Sequence, residues 1–151
     1  MAADDYGRSL PALTVNLLVR EVARSVAFYA DVIGVEVVYA DPDFAALRIG
    51  LTPDPSPAGR GEIVDFMLHA DHTYEEHPWQ ERLRGTEGRG LGAELRLFGV
   101  DPDAVERRAR EAGAPILKAT FERPHGWREV WVQDPDGYVW AVGVPVGGGR
   151  R

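Results

Sequence analysis

The chain has 151 residues, 44% of them hydrophobic and 27% charged, which is the composition of an ordinary globular domain. Seventeen basic against 24 acidic residues give a net charge of −7, so nucleic acid is not expected as a partner. The sequence has no cysteine, no apolar run of membrane-spanning length and no signal-peptide pattern. We therefore expect a cytoplasmic protein that does not enter membranes and has no disulfides or thiolate-bound metals.

The first half of the chain predicts a strand, a helix and three further short strands. Residues 13–19 alternate with period 2, and a helical stripe follows over 22–33 and ends at Gly34. The next strands are predicted over 35–40, 44–49 and 62–69. Residues 51–61 hold three prolines and two glycines, which predicts a loop.

The second half repeats this pattern about 80 residues later, and such internal repeats define architecture. Residues 93–98 alternate, and a helix is predicted from Asp101, a good N-cap, to Gly113. Strands are predicted over 116–121, 127–133 and 138–144, the last two joined by the hairpin turn Asp134-Pro-Asp-Gly137. The sequence thus predicts two βαβββ modules at 11–70 and 91–145, a linker at 71–90, and flexible tails at 1–10 and 146–151.

Two motifs of the repeat resemble the vicinal oxygen chelate superfamily, which includes glyoxalase I, bleomycin-resistance proteins and extradiol dioxygenases. They are Val19-Arg-Glu-Val-Ala-Arg-Ser-Val-Ala-Phe-Tyr29 with Gly34, and Gly126-Trp-Arg-Glu-Val130 leading to Asp134-Pro-Asp-Gly-Tyr138. The resemblance covers residues 12–145. It implies an α+β fold in which the curled sheets of two βαβββ modules surround a ligand cavity, commonly in a homodimer.

The resemblance also implies four positions for a divalent metal, on the cavity face of four strands. In this sequence they are Thr14, Glu94, Ala141 and, at the best match near the end of the first module, Asp65. Zinc and iron favour imidazole among their ligands, which this set lacks. We therefore predict that the usual metal site is absent and that no cofactor is bound. A weak Mg²⁺ or Ca²⁺ site on the two carboxylates stays open as an alternative.

Ligand-binding candidates follow from the strand faces and from the resemblance. Glu94 lies opposite Leu95 and Leu97, so it faces the cavity if those leucines pack on the helix. Trp127, Glu129 and Trp131 share one face of their strand, an arrangement suited to a flat or cationic ligand. The predicted ligand-binding residues are Asn16, Asp65, His69, Glu94, Arg96, His125, Trp127, Glu129 and Trp131.

Structural roles compete with each of these assignments. Glu94 and Asp65 can instead form internal ion pairs, Glu94 with Arg96 or Arg128, and the tryptophans can be core residues. His72 and His77 lie in the polar linker, where we expect them to be exposed.

Two functions remain open at this point. The first is a glyoxalase/bleomycin-resistance-like protein that lacks the usual metal site and binds a small organic molecule, cationic or aromatic, in the cavity. The alternative is an enzyme of the same superfamily, a lyase, isomerase or dioxygenase, that uses Glu94 as a base with or without a weakly bound metal.

Overall fold

The computed structural model describes residues 3–50, 63–124 and 126–146, and each copy of the repeat forms one four-stranded mixed sheet. The strands of the first sheet are β1 (Val15–Val19), β2 (Glu36–Ala40), β3 (Phe44–Gly50) and β4 (Ile63–Ala70), in the order β1-β4-β3-β2. Those of the second are β5 (Leu95–Phe98), β6 (Ile116–Arg123), β7 (Trp127–Gln133) and β8 (Val139–Pro145), in the order β5-β8-β7-β6. The α+β fold of two βαβββ modules is confirmed.

The helices are α1 (Ala3–Ser9), α2 (Val22–Phe28) with a π-helical turn at Tyr29–Ile33, α3 (Gln80–Arg84) and α4 (Pro102–Ala112), and a 3-10 turn spans Asp71–Tyr74. The two main helices, α2 with its π turn and α4, pack on the sheets, and both end at a left-handed glycine as predicted. Gly34 and Gly113 have φ of 90° and 68°, a region that L side chains rarely adopt. The π turn arises because the backbone N–H groups of Gly34 and Val35 both donate to the Tyr29 carbonyl.

Each sheet has one face packed on a main helix, α2 or α4, and we call the opposite face its open face. Alternation along the strands assigns the side chains, since buried Phe66, Leu68, Val130 and Val142 all belong to the hydrophobic core. The open face of the first sheet carries Asn16, Phe44, Ala46, Arg48, Asp65, Met67 and His69. The open face of the second carries Arg96, Phe98, Trp127, Glu129, Trp131, Ala141 and Gly143. The strand faces read from the sequence are therefore correct.

A buried polar network joins the two modules. The Tyr29 hydroxyl donates to Asp134 Oδ2 at 2.6 Å and accepts from Trp140 Nε1 at 3.1 Å. Asp136 accepts from the Arg20 backbone and guanidinium at 3.2 and 3.1 Å. Both aspartates belong to the predicted hairpin turn, and both are buried. The turn therefore connects β7 to β8 and also binds residues at both ends of α2.

The linker and the N-terminal segment both contact the modules. Gly90 lies so close to Gly137 that an added Cβ would be 2.6 Å from its carbonyl oxygen, and the Arg89 guanidinium pairs with Asp71 at 2.7 Å. The predicted tail 1–10 includes α1, from which Tyr6 packs edge-on against Phe44. The predicted loop 51–61 and residues 147–151 lie outside the described residues. In the described part of the chain, no helix has the length and apolarity that a membrane span requires.

Candidate ligand-binding site

A buried carboxylate, Glu129, is the centre of the second sheet's open face. The residue is 0% exposed, although its strand face has no helix above it. Three donors satisfy its oxygens: the guanidinium of Arg96 at 2.8 Å, that of Arg123 at 2.5 Å, and Trp131 Nε1 at 3.0 Å. Burial alone would raise the pKa of Glu129, but the hydrogen bonds from Trp131 and Arg96 outweigh it and lower the pKa. Glu129 is therefore a structural anion that orients two arginines and one indole.

The strand neighbour of Glu129 explains why this carboxylate fits. Gly143 of β8 is directly opposite it, and a Cβ added there would lie 2.8 Å from Glu129 Cβ and 2.5 Å from the Arg128 carbonyl oxygen. Such approaches are shorter than real Cβ contacts. Glycine at this position therefore makes room for the Glu129 side chain.

Two aromatic pairs flank this ion cluster. Phe98 and Trp127 stack with ring centroids 4.2 Å apart and an interplanar angle of 29°, and Phe121 and Trp131 meet edge to face at 5.5 Å. Phe98 is 37% exposed, and the other three rings are partly buried. We call these four residues the aromatic platform. It presents flat, partly exposed apolar surface, which is the surface on which planar ligands stack.

The platform is bordered by positive charge. Lys118 Nζ lies over the Phe121 ring at 3.9 Å and forms no ion pair within the described residues. The Arg123 guanidinium lies 5.6 Å from the Trp131 ring centre. Both geometries lie within the range of cation–π contacts. This edge of the platform is therefore electropositive.

Glu94 lies at the other border of the platform and is already paired. It precedes β5, is exposed, and accepts from the Arg96 guanidinium at 2.5 Å. Arg96 in turn bridges Glu94 and Glu129, and the hydrogen bonds that it donates to both acids raise the pKa of Arg96. Of the two roles left open for Glu94, the geometry corresponds to the internal ion pair with Arg96.

A hydrogen-bonded triad occupies the open face of the first sheet. Asn16 Oδ1 lies 2.6 Å from His69 Nδ1, and Asn16 Nδ2 donates to the Tyr74 hydroxyl at 2.7 Å. The His69 ring lies 4.7 Å from the Phe44 ring and 5.1 Å from that of Tyr74. Burial lowers the pKa of His69, which favours the neutral form of its imidazole. The structure thus brings together Asn16 and His69, two of the predicted ligand-binding residues.

The remaining acid of this face, Asp65, is also neutralised. It accepts from Arg48 Nε and Nη2 at 2.8 and 2.9 Å, a bidentate pair. α1 lies above this region, with Tyr6 9% exposed and its hydroxyl without a hydrogen-bond partner among the described residues. This ion pair is the structural arrangement that the sequence left as an alternative for Asp65.

The family's metal positions do not carry a metal-binding set in this chain. Strand register places Asn16 opposite Met67 and Arg96 opposite Ala141, so the first-module counterpart of Ala141 is Met67, two residues beyond Asp65. Thr14, Met67 and Ala141 offer no imidazole or carboxylate. Within the described ranges, no three histidine, aspartate or glutamate side chains are placed to share a metal ion. The residues present do not fit the family's metal.

A separate cavity of about 1270 Å³ lies on the helix side of the molecule. Its lining includes Arg24 and Phe28 of α2, Gly113 after α4, and Gln133 at the end of β7. None of the predicted ligand-binding residues in the described part of the chain lines it. His125, the ninth of them, lies outside the described residues.

Sequence reasoning missed several side chains of the two open faces. Lys118, Phe121 and Arg123 all come from β6, whose pairing with β7 shifts register twice between Ile116 and Phe121. These irregularities break the period-2 pattern on which the face assignment depended. Tyr74 belongs to the 3-10 turn after β4, and neither periodicity nor motif indicates its contact with Asn16.

Comparison with known proteins places this geometry in a family. The family model of the Glyoxalase/Bleomycin resistance protein/Dioxygenase superfamily matches residues 12–142. An uncharacterised protein of Mycobacterium bovis (strain ATCC BAA-935 / AF2122/97) is 26% identical over 143 residues, which cover 90% of this chain and 84% of that protein. An uncharacterised protein of Mycobacterium tuberculosis (strain ATCC 25618 / H37Rv) is also 26% identical, with 90% and 75% covered.

Solved structures show the same fold. A glyoxalase/bleomycin resistance protein/dioxygenase family enzyme from Burkholderia phytofirmans PsJN superposes with a TM-score of 0.65 at 23% identity, covering 88% of this chain and 97% of its own. A glyoxalase/bleomycin resistance protein/dioxygenase from Nocardioides gives 0.63 at 20% identity, with 97% and 95% covered. The family match spans most of the chain, and the structures share its two-module architecture. The chain therefore belongs to the glyoxalase/bleomycin resistance protein/dioxygenase superfamily.

Proposed function

We propose that this protein binds a small planar organic molecule on the aromatic platform of the second sheet, without a metal ion. The observation that carries the proposal is the stacked pair of Phe98 and Trp127, which keeps apolar ring surface partly exposed beside a charged cluster. Two large aromatic side chains on an open sheet face supply apolar contact area for a planar ligand. Their rigidity means that little conformational entropy is lost when a ligand stacks on them.

The charge balance of the platform favours a neutral or anionic ligand. The expectation of a cationic ligand depended on free carboxylates, but Glu94 and Glu129 are each bound by arginine. Lys118 has no acidic partner within the described residues and lies against the Phe121 ring. An aromatic carboxylate would stack on the rings and place its charge near this ammonium group. We therefore still expect an aromatic ligand, but one that is neutral or anionic rather than cationic.

Naphthalene derivatives of opposite charge test this proposal. Calorimetric titrations should give a lower dissociation constant for 2-naphthoate than for 2-naphthylmethylammonium. Trp127→Leu should weaken naphthoate binding by about tenfold, the effect of losing one aromatic contact of about 1–1.5 kcal/mol. Trp79→Leu is the matched control, because Trp79 is 60% exposed and far from β7 in sequence. Equal affinity in the two variants, or a preference for the ammonium compound, would reject the platform as the site.

The role of metal is tested in the same preparation. Elemental analysis of protein purified without chelator should find no stoichiometric zinc, iron, nickel or manganese, and naphthoate binding should be unchanged by EDTA. Stoichiometric metal would instead favour the enzyme alternative, a lyase, isomerase or dioxygenase. In that alternative Glu94 would have to exchange its ion pair with Arg96 for a role as base.

We also propose a cytoplasmic homodimer as the working form. The first sheet supports this, because its edge strand β2 exposes Val37 at 39% and Tyr39 at 52%. Uncovered edge strands with apolar side chains associate with other chains unless they are protected.

A further inference from the structure

The triad on the first sheet has one free donor and one free acceptor, and both are fixed by a single amide. Asn16 Oδ1 can only accept, so the proton between it and His69 belongs to Nδ1. A neutral imidazole protonated at Nδ1 has its lone pair at Nε2. His69 Nε2 has no hydrogen-bond partner among the described residues. The imidazole therefore presents an acceptor to the open face.

Tyr74 is held in the complementary state. Its hydroxyl oxygen accepts from Asn16 Nδ2 at 2.7 Å, and its own proton is donated to no residue in the described ranges. The hydroxyl is thus a free donor beside the imidazole, since the rings of His69 and Tyr74 are 5.1 Å apart. Phe44 lies on the other side of the imidazole, with ring centroids 4.7 Å apart. The donor and the acceptor are therefore surrounded by aromatic surface.

We propose that this triad is a second binding site, which takes an aromatic hydroxyl compound such as a phenol. The ligand hydroxyl would donate to His69 Nε2 and accept from the Tyr74 hydroxyl, while its ring packs against Phe44. A hydroxyl group is the smallest group that satisfies both partners at once. The ligand keeps its own O–H bond, because burial lowers the pKa of His69 and so disfavours the imidazolium that a proton transfer would form.

The proposal assigns different roles to the three residues. His69 and Tyr74 touch the ligand, whereas Asn16 is a positioning residue that acts through the imidazole and the phenol ring. Asn16 holds the Nδ1–H form of His69, and without it nothing described here fixes the position of that proton. The site is on the first sheet and does not depend on the aromatic platform of the second.

Nitrogen-15 NMR of the histidines in the intact chain tests the first step. At about pH 6–7, long-range proton–nitrogen spectra should show His69 protonated at Nδ1 and unprotonated at Nε2. Asn16→Leu, which is close in size but makes neither hydrogen bond, should abolish this tautomer preference. A proton on Nε2 in the wild-type protein would mean that the Asn16 amide is turned around, and it would overturn the proposal.

The probe for the second step is 4-nitrophenol, added at about pH 6 so that its hydroxyl remains mostly protonated. Binding should move the His69 Nε2 resonance towards the frequency of a protonated nitrogen and leave His72, which is exposed and paired with Asp43, unchanged. His69→Gln and Tyr74→Phe should each weaken binding by about tenfold, the effect of one lost hydrogen bond. Asn16→Leu should do the same without touching the ligand, and His72→Gln should have no effect.

The outcomes separate this site from the platform. Absence of 4-nitrophenol binding, or equal affinity in wild type and His69→Gln, would refute the triad site. Binding that quenches tryptophan fluorescence without moving the His69 resonance would also refute it, while leaving the proposed platform intact. If Asn16→Leu fails to fold, the tautomer of the wild-type protein and the affinity of Tyr74→Phe still decide the question.

Discussion

Replacing Tyr29 by Phe tests how the two modules are held together. Tyr29 is 0% exposed, and its hydroxyl bonds Asp134 at 2.6 Å and Trp140 at 3.1 Å. Losing a hydrogen bond to a carboxylate costs about 2 kcal/mol, and leaving the buried indole N–H of Trp140 unpaired costs about 1–2 kcal/mol more. We therefore expect the free energy of unfolding to fall by about 3–4 kcal/mol. The melting temperature should fall by about 10 °C.

Tyr6→Phe is the matched control, because Tyr6 is a second buried tyrosine whose hydroxyl has no partner among the described residues. Removing an unpaired buried hydroxyl relieves its desolvation, so we expect unchanged stability or a gain of up to about 1 kcal/mol. Urea unfolding of wild type and both variants gives the two differences directly. A loss below about 1 kcal/mol in Tyr29→Phe, or an equal loss in both variants, would refute the argument from hydrogen-bond partners.

The pH dependence of the stability lost in Tyr29→Phe tests the role of the Asp134 carboxylate. Burial raises the pKa of Asp134 above 3.8, although the hydrogen bonds from Tyr29 and from the Tyr138 backbone oppose the shift. The stability linked to a raised carboxyl pKa is present below the unfolded-state pKa and is lost as the pH rises through the folded-state pKa. Removing the Tyr29 hydroxyl raises the pKa of Asp134 further, so the deficit of Tyr29→Phe should be larger at about pH 7 than at about pH 4. Equal deficits at both pH values would exclude this coupling.

Three further results are expected. Hydrogen bonds from Thr120 and Arg110 lower the pKa of Glu106 from 4.5 to about 2, so the advantage of wild type over Glu106→Gln in urea unfolding should be complete above about pH 4.5 and disappear as the pH falls to about 2. Gly143→Ala should cost about 1–3 kcal/mol because of the clash with Glu129, whereas Gly50→Ala, with open space around it, should cost under about 1 kcal/mol. Light scattering at micromolar concentration should give the mass of a dimer, and a monomer mass would contradict the proposed assembly.

The fold was predictable because local signals agree with the tertiary structure. Alternation put Trp127, Glu129 and Trp131 on one face of their strand, and the structure has all three on the open face of the second sheet. The glycines that end the helices and the hairpin turn were also read correctly. Such features depend on neighbours within a few residues, so one sequence contains the information they require.

Contacts between distant segments were not predictable in the same way. Arg108 of α4 donates to the Val32 carbonyl at 2.9 Å and so satisfies an acceptor in the π-helical turn that follows α2. Asp134 and Asp136 were recognised as turn residues but not as the acceptors that bind the other module. Arginine and aspartate are common on surfaces, so their type does not indicate a buried partner about 75 to 115 residues away. Only the packing of the two modules brings these groups together.

The duplication itself explains why the two open faces have different chemistry. Strand register makes Leu18 the counterpart of Phe98 and His69 the counterpart of Gly143, because each pair occupies the same rung of its sheet. The same register matches Phe44, opposite His69, with Glu129, opposite Gly143.

An imidazole beside a phenyl ring in one module thus corresponds to a glycine beside a buried carboxylate in the other. The glycine admits an ion cluster that orients aromatic rings, and the imidazole forms a neutral hydrogen-bonding group. The two modules share one backbone arrangement and differ in the side chains at these positions. Giving the first sheet the glycine and the glutamate of the second should therefore change its ligand preference while leaving the fold intact. The double variant His69→Gly and Phe44→Glu should therefore lose 4-nitrophenol binding and retain 2-naphthoate binding on the second sheet, and loss of both would show that the faces are one site.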